Sequence, residues 1–110
     1  GYMADLTRTE VIKLIAIATK PLNLRGVDLR GVDLSELDLT GVDLSGANLT
    51  DANLEGAILE RAISYKANFR KANLEFAYLK NAYLIDADLT GALLEGAVLE
   101  GAVLLGAKGI

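Results

Sequence analysis

Leucine returns every fifth residue from Leu24 to Leu104, and no other feature restricts the possible folds so sharply. Of the seventeen positions in that register, fifteen are Leu; the exceptions are Ser64 and Phe69. Two residues before each stands a second apolar side chain: Leu22, Val27, Val32, Leu37 and Val42, then Ala at all twelve positions from Ala47 to Ala102. Neither regular element accommodates this spacing. On an α-helix, five residues turn about 500°, which winds the leucines around the rod. On a strand, successive leucines would alternate between faces. The pattern is satisfied if the chain turns a corner once per repeat. Ala and Leu then point inward along each side, while the other three residues face outward or make the corner. Such a chain is a solenoid, stabilised by stacking each coil on the next.

The residues just before the leucines give the number of sides. With every fourth repeat aligned, Ile58, Tyr78 and Val98 share a column, as do Ile63, Tyr83 and Val103, and Asn48, Asn68 and Asp88. Glu60, Lys80 and Glu100 form a column of alternating charge. Rows of three or five repeats scramble these columns. A coil therefore has four sides and twenty residues. Seventeen repeats at four per coil make four and a quarter coils, a stack ~20 Å long at ~4.8 Å per coil.

The repeat A-[DN]-L-x-x, as in Ala47-Asn48-Leu49 and Ala52-Asn53-Leu54, resembles that of the pentapeptide-repeat proteins from Leu22 to about Ala107. The resemblance implies a right-handed quadrilateral β-helix and a bacterial, especially cyanobacterial, setting. The expected fold is an all-β solenoid of about four coils with an N-terminal α-helical cap. The β-helix is assigned to residues 22–107.

Residues 4–21 are expected to form the cap. Thr7-Arg8-Thr9-Glu10 fits a capping box, with Thr7 at the helix start and Glu10 reaching back to it. Pro21 stops the helix at or before Lys20. Between them Val11, Ile12, Leu14, Ile15 and Ile17 are apolar on nearly every side, which points to burial. A terminal coil exposes apolar side chains and unpaired backbone groups, and this helix supplies the lid. Gly1-Tyr2 ahead of Met3 reads as an expression remnant, so residues 1–3 are set aside. At the other end the motif fades over residues 108–110, where Gly109 takes the next leucine position and the last coil is expected to be open.

Composition excludes several functions. A net charge of −4 disfavours nucleic acid and anionic membrane, both of which reward a basic surface. Lys13 and Lys20 are too few for a membrane-surface helix. The run Val11 to Ala18 is far below the ~20 residues of a membrane span. Acidic Asp5 and Glu10 precede that run and no small-residue cleavage site follows, unlike a secretory signal. The expected setting is cytoplasmic. The chain has no Cys and no His, so it offers no disulfide, no zinc site of the usual type, and no activated nucleophile. The Asp and Asn residues before the leucines read as turn formers bonding local backbone. No catalytic residue, cofactor, metal or small-molecule substrate is expected; the protein does not read as an enzyme.

Outward positions of an isolated solenoid should be polar, yet two adjacent sides break that rule in the later coils. Ile58, Tyr78 and Val98 stand on one; Ile63, Tyr83 and Val103 stand on the next, extended by Tyr65, Ile85 and Leu105. An aligned apolar corner of this kind marks a protein–protein interface, for a protein partner or a homodimer. The expected function is a non-catalytic structural or interaction module presenting that corner and the open C-terminal coil. The alternative is a DNA mimic that inhibits a type II topoisomerase (gyrase), as the resemblance allows. Duplex DNA carries one charge per about 1.7 Å, so a ~20 Å stack would need about twelve. The chain has a net −4, and Lys66, Arg70, Lys71 and Lys80 dilute the field.

Overall fold

The computed structural model describes residues 3–110; Gly1 and Tyr2, read above as an expression remnant, lie outside the described residues. Each repeat closes on a tight turn. In Leu54-Glu55-Gly56-Ala57 the Ala57 N–H donates to the Leu54 carbonyl at 3.0 Å, and Gly56 has φ +66°. Positive φ at the third residue alone is the type II pattern. The turn swings the chain through a corner and leaves Ala57 and Leu59 both buried on the next side.

Parallel bridges join each residue before a leucine to the residue twenty positions on, as in Ile58 to Tyr78 and Tyr78 to Val98. Coils are tied by backbone bonds from Leu54 N–H to Asn73 O (2.7 Å), Gly56 N–H to Glu75 O (2.9 Å) and Tyr78 N–H to Ala57 O (2.9 Å). Four sides result. Side 1 runs through residues 22–26, 42–46, 62–66, 82–86 and 102–106. Sides 2, 3 and 4 begin five, ten and fifteen residues after it. The interior holds layers of Leu and Ala, with Leu29, Leu34, Leu44, Leu49 and Leu54 fully buried. Ser64 and Phe69 also point inward, on adjacent sides of one coil. No buried side-chain polar atom among the described residues lacks a hydrogen-bond partner.

Helix α1 spans Arg8–Ile17, shorter than the 4–21 expected. Ala18 already has extended geometry (φ −68°, ψ 132°), so the helix stops well ahead of Pro21. The capping box is formed: Glu10 N–H donates to Thr7 Oγ1 at 3.2 Å, and Thr7 N–H donates to Glu10 Oε1 at 3.0 Å. Burial on every side does not occur. Val11 alone on the helix is buried, while Ile12 and Ile17 are exposed. One helix lying across one coil covers a single row of side chains, whatever the composition of the others.

The N-terminal segment also meets the backbone edge of the first coil. Asp5 N–H donates to Asp28 O at 2.7 Å, and Asp28 N–H donates to Asp5 Oδ2 at 2.8 Å. Arg8 Nη1 donates to the carbonyls of Asp33 (3.1 Å) and Ser35 (3.0 Å). These groups would face a preceding coil if one were present. At the other end, Leu94, Leu99 and Leu104 are only half-buried, and their N–H groups find no backbone acceptor among the described residues. The register runs on to Lys108, which bridges to Asp88, one residue past the boundary at 107.

Candidate interaction surface

The outward position before each leucine has a local chemical duty. Asn53 Oδ1 accepts the Glu55 N–H at 3.0 Å, and Asp38 Oδ1 accepts from both the N–H (3.1 Å) and the hydroxyl (2.6 Å) of Thr40. All ten Asp or Asn residues at this position make the same bond to the backbone two residues on. Such Asx turns hold the corner from outside. Several carboxyls are shifted by it. The Thr40 hydroxyl, and then its amide, hold the Asp38 carboxyl below its ordinary 3.8. Asp28 is lowered by the side chain of Arg30, which grips it with Nε at 2.9 Å and Nη2 at 2.6 Å.

Seven repeats forgo this bond. Ile58, Ile63, Tyr78, Tyr83, Leu93, Val98 and Val103 occupy the position, and none carries an acceptor close enough to the backbone to make it. The N–H groups that an Asx residue would hold, such as those of Tyr65, Lys80 and Ile85, have no protein acceptor among the described residues. Six of the seven fall on sides 4 and 1, joined by the bridges into two adjacent columns.

Every member of the expected corner lies at the surface. Tyr65, Tyr78, Tyr83, Ile63, Val98 and Val103 are exposed, Leu105 most of all at 74%, while Ile58 and Ile85 are half-buried. Within the repeats, two further large apolar groups are exposed outside that set. Leu93 stands on side 3, in the column of Asn53 and Asn73. Phe76 occupies the third turn position before side 4, at φ +59°, and is also exposed. The signal for Leu93 was present in its column; nothing in the repeat marks a turn residue as part of a patch.

Charges border the corner. Backbone bonds from Arg61 N–H to Lys80 O and from Asn81 N–H to Glu100 O align Glu60, Lys80 and Glu100 at the edge between sides 4 and 1. Lys66 and Asp86 occupy the opposite edge of side 1, and Lys66 Nζ lies 5.2 Å from the centre of the Tyr65 ring. No group of His, Cys, Asp and Glu able to hold a metal ion occurs among the described residues, nor any helix long and apolar enough to cross a membrane.

A family model described as pentapeptide repeats matches residues 22–46, 47–84 and 82–108. Among solved structures, the chain is similar to the pentapeptide repeat protein alr5209 from Nostoc PCC 7120. The two share 34% identity with a TM-score of 0.77, over 83% of this chain and 74% of that one. It is also similar to Rfr23, a pentapeptide repeat protein from the cyanobacterium Cyanothece 51142. There the identity is 37% and the TM-score 0.50, over 79% of this chain and 63% of that one. Full-length QnrB1, a plasmid-mediated fluoroquinolone resistance protein, is 19% identical with a TM-score of 0.45, over 78% of this chain and 69% of that one. That likeness is too low to bear on function. Among curated proteins, none matches the chain in sequence. On the matched repeats and the Nostoc relative, this chain belongs to the pentapeptide repeat family and has its right-handed quadrilateral β-helix.

Proposed function

We infer that the protein is a non-catalytic interaction module, and that it presents the apolar corner of sides 4 and 1 to a protein partner. One observation carries this reading. The repeats that give up an Asx turn for an outward apolar side chain are not scattered; six of seven line one corner. A net contribution of about 1 kcal/mol per hydrogen bond is forgone at each, and exposed apolar groups return little of it in an isolated chain. Burial against a partner does return it, at about 25 cal/mol per Å² of apolar surface.

The N-terminal segment, residues 4–21, serves as the lid of the coils in this reading. The open coil around Leu94, Leu99 and Leu104 is a second surface for a partner. The setting is cytoplasmic, which cell fractionation tests. Capture experiments with wild-type protein beside Tyr78→Lys/Tyr83→Lys test the main surface. A partner held by the wild type and lost by the variant, with both equally folded by circular dichroism, supports the reading; equal capture by both overturns it.

The DNA-mimic alternative fits the surface less well. Arg61, Lys66, Arg70, Lys71 and Lys80 are all exposed in the middle coils and break any continuous acidic face. Inhibition of gyrase supercoiling by excess protein would favour the mimic instead.

A further inference from the structure

The geometry points to a specific occupant for half of that corner: a second copy of this chain, packed side 1 against side 1. The two stacks run in the same direction, related by a two-fold axis parallel to them. The inference rests on the interaction reading above and names the partner for side 1.

Side 1 carries two outward columns. One is Asn23, Asp43, Ile63, Tyr83 and Val103; the other is Arg25, Ser45, Tyr65, Ile85 and Leu105. The first is ordered by its bridges, the second by the bonds from Gly46, Lys66 and Asp86 N–H to the carbonyls of Tyr65, Ile85 and Leu105. A two-fold axis along the stack brings each column opposite the other column of its mate, at the same level. Ile63 then meets Tyr65 of the second copy, Tyr83 meets Ile85, and Val103 meets Leu105. The polar levels at Asp43 and Ser45 also meet each other.

The two edges of side 1 agree with the same operation. One edge carries Glu60 and Arg61 at the third level and Lys80 and Asn81 at the fourth; the other carries Lys66 and Asp86 there. The axis sets Lys80 against Asp86 of the second copy, twice, while Lys66 faces Glu60 and its neighbour Arg61 together, so the third level adds no net attraction. Antiparallel packing does worse. Centred on the fourth level, it opposes Lys80 with Lys80, Asp86 with Asp86, and Glu60 with Glu100. Shifted half a coil one way, it matches the charges but lays Val103 and Leu105 on Asp43 and Ser45; shifted the other way, it leaves Ile63 and Tyr65 without a facing coil. Only the parallel arrangement keeps apolar on apolar at all three levels while setting Lys80 against Asp86. Symmetric pairing of one patch with itself is the commonest way soluble chains assemble.

Three apolar levels span only ~15 Å of stack, too short a stretch of one side to bury the ~800 Å² per partner of standard stable interfaces. The pair is therefore concentration-dependent. Sedimentation equilibrium of the full chain, carried to millimolar concentration, should show monomer and dimer in exchange. Tyr83→Asn, which supplies a local turn acceptor and should fold, is expected to weaken the dimer at least tenfold. Lys80→Glu should weaken it as well, and Lys80→Glu/Asp86→Lys should restore it. The chain has no cysteine, so Val103→Cys and Leu105→Cys proteins report direction. Their mixture should oxidise to a disulfide dimer faster than either protein alone. Monomer at every concentration overturns the self-pairing but leaves a different protein partner to the capture experiment. A dimer unaffected by Tyr83→Asn overturns it, and so does a mixture that links no faster than its parts.

Discussion

The ring of Phe76 lies against Gly96, one coil on, so closely that a methyl group built on Gly96 would overlap it. Both residues occupy the third turn position, with φ +59° and +73°. Side chains at that position lean toward the next coil, where a glycine receives them: Lys71 over Gly91, Asn81 over Gly101 and Asp86 over Gly106. Gly96→Ala therefore meets two obstacles. Left-handed backbone with a Cβ costs roughly 1–2 kcal/mol, and the ring must also swing away. Gly26 has φ +68° and open space around it, so Gly26→Ala meets only the first. In chemical denaturation Gly96→Ala should lose more stability than Gly26→Ala, and adding Phe76→Ala should remove the excess. Equal losses without that rescue would show that the ring moves aside freely.

The Asx turns make an opposite prediction for the two kinds of outward residue. Asn53→Ala removes the acceptor of the Glu55 N–H and should cost about 1 kcal/mol, roughly 4–8 °C in Tm for a domain near this size. Tyr83→Asn supplies an acceptor beside the Ile85 N–H, which lacks one among the described residues. Its Tm should stay level or rise. If the variant instead melts several degrees lower, the tyrosine serves the stability of the isolated chain, and the apolar corner no longer implies a partner.

How much of this was legible without coordinates follows from what each level of structure depends on. The twenty-residue register was, because the columns of like residues fit only four sides; Ile58, Tyr78 and Val98 align through their bridges as those columns required. The capping box of Thr7 and Glu10 was, because it depends on residues three apart. The burial of the helix was not. Ile12 and Ile17 are as aliphatic as Val11, and only the placement of the helix on the coil decides which is covered. The bonds from Arg8 to the carbonyls of Asp33 and Ser35 span 25 and 27 residues and leave no pattern. Phe76 was missed for a different reason: its turn position is held here by Glu, Asp, Arg, Lys, Asn or Gly, so residue type says little about it.

Ser64 and Phe69 depart together from the inward leucine register, both buried in one coil. A small residue beside a large one keeps the layer at constant volume, and protein interiors respond to a change of even one methylene. Ser64→Leu should then overpack the layer, at about 1–3 kcal/mol. Ser64→Leu/Phe69→Leu restores the regular repeat and should recover most of that loss in urea unfolding. Additive losses in the double variant would separate the two positions.

Acid should loosen the turns that carboxylates hold. The Ser35 side chain lowers the pKa of Asp33, and those of Thr40 and Thr90 lower the pKa of Asp38 and Asp88, all from an ordinary 3.8. The Arg30 side chain does the same for Asp28. A carboxyl whose folded pKa is depressed stabilises the fold above its unfolded pKa. That contribution disappears as pH falls through the unfolded value toward the folded one. Tm should therefore be nearly flat from neutral pH down to about pH 5 and fall below about pH 4. Asp38→Asn keeps an oxygen for the Thr40 N–H and hydroxyl but takes up no proton. Its Tm should fall less steeply than that of the wild type over the same acid range. Identical slopes would mean that protonation of Asp38 contributes nothing to the acid transition and that the other lowered carboxyls, Asp28, Asp33, Asp43 and Asp88, carry it.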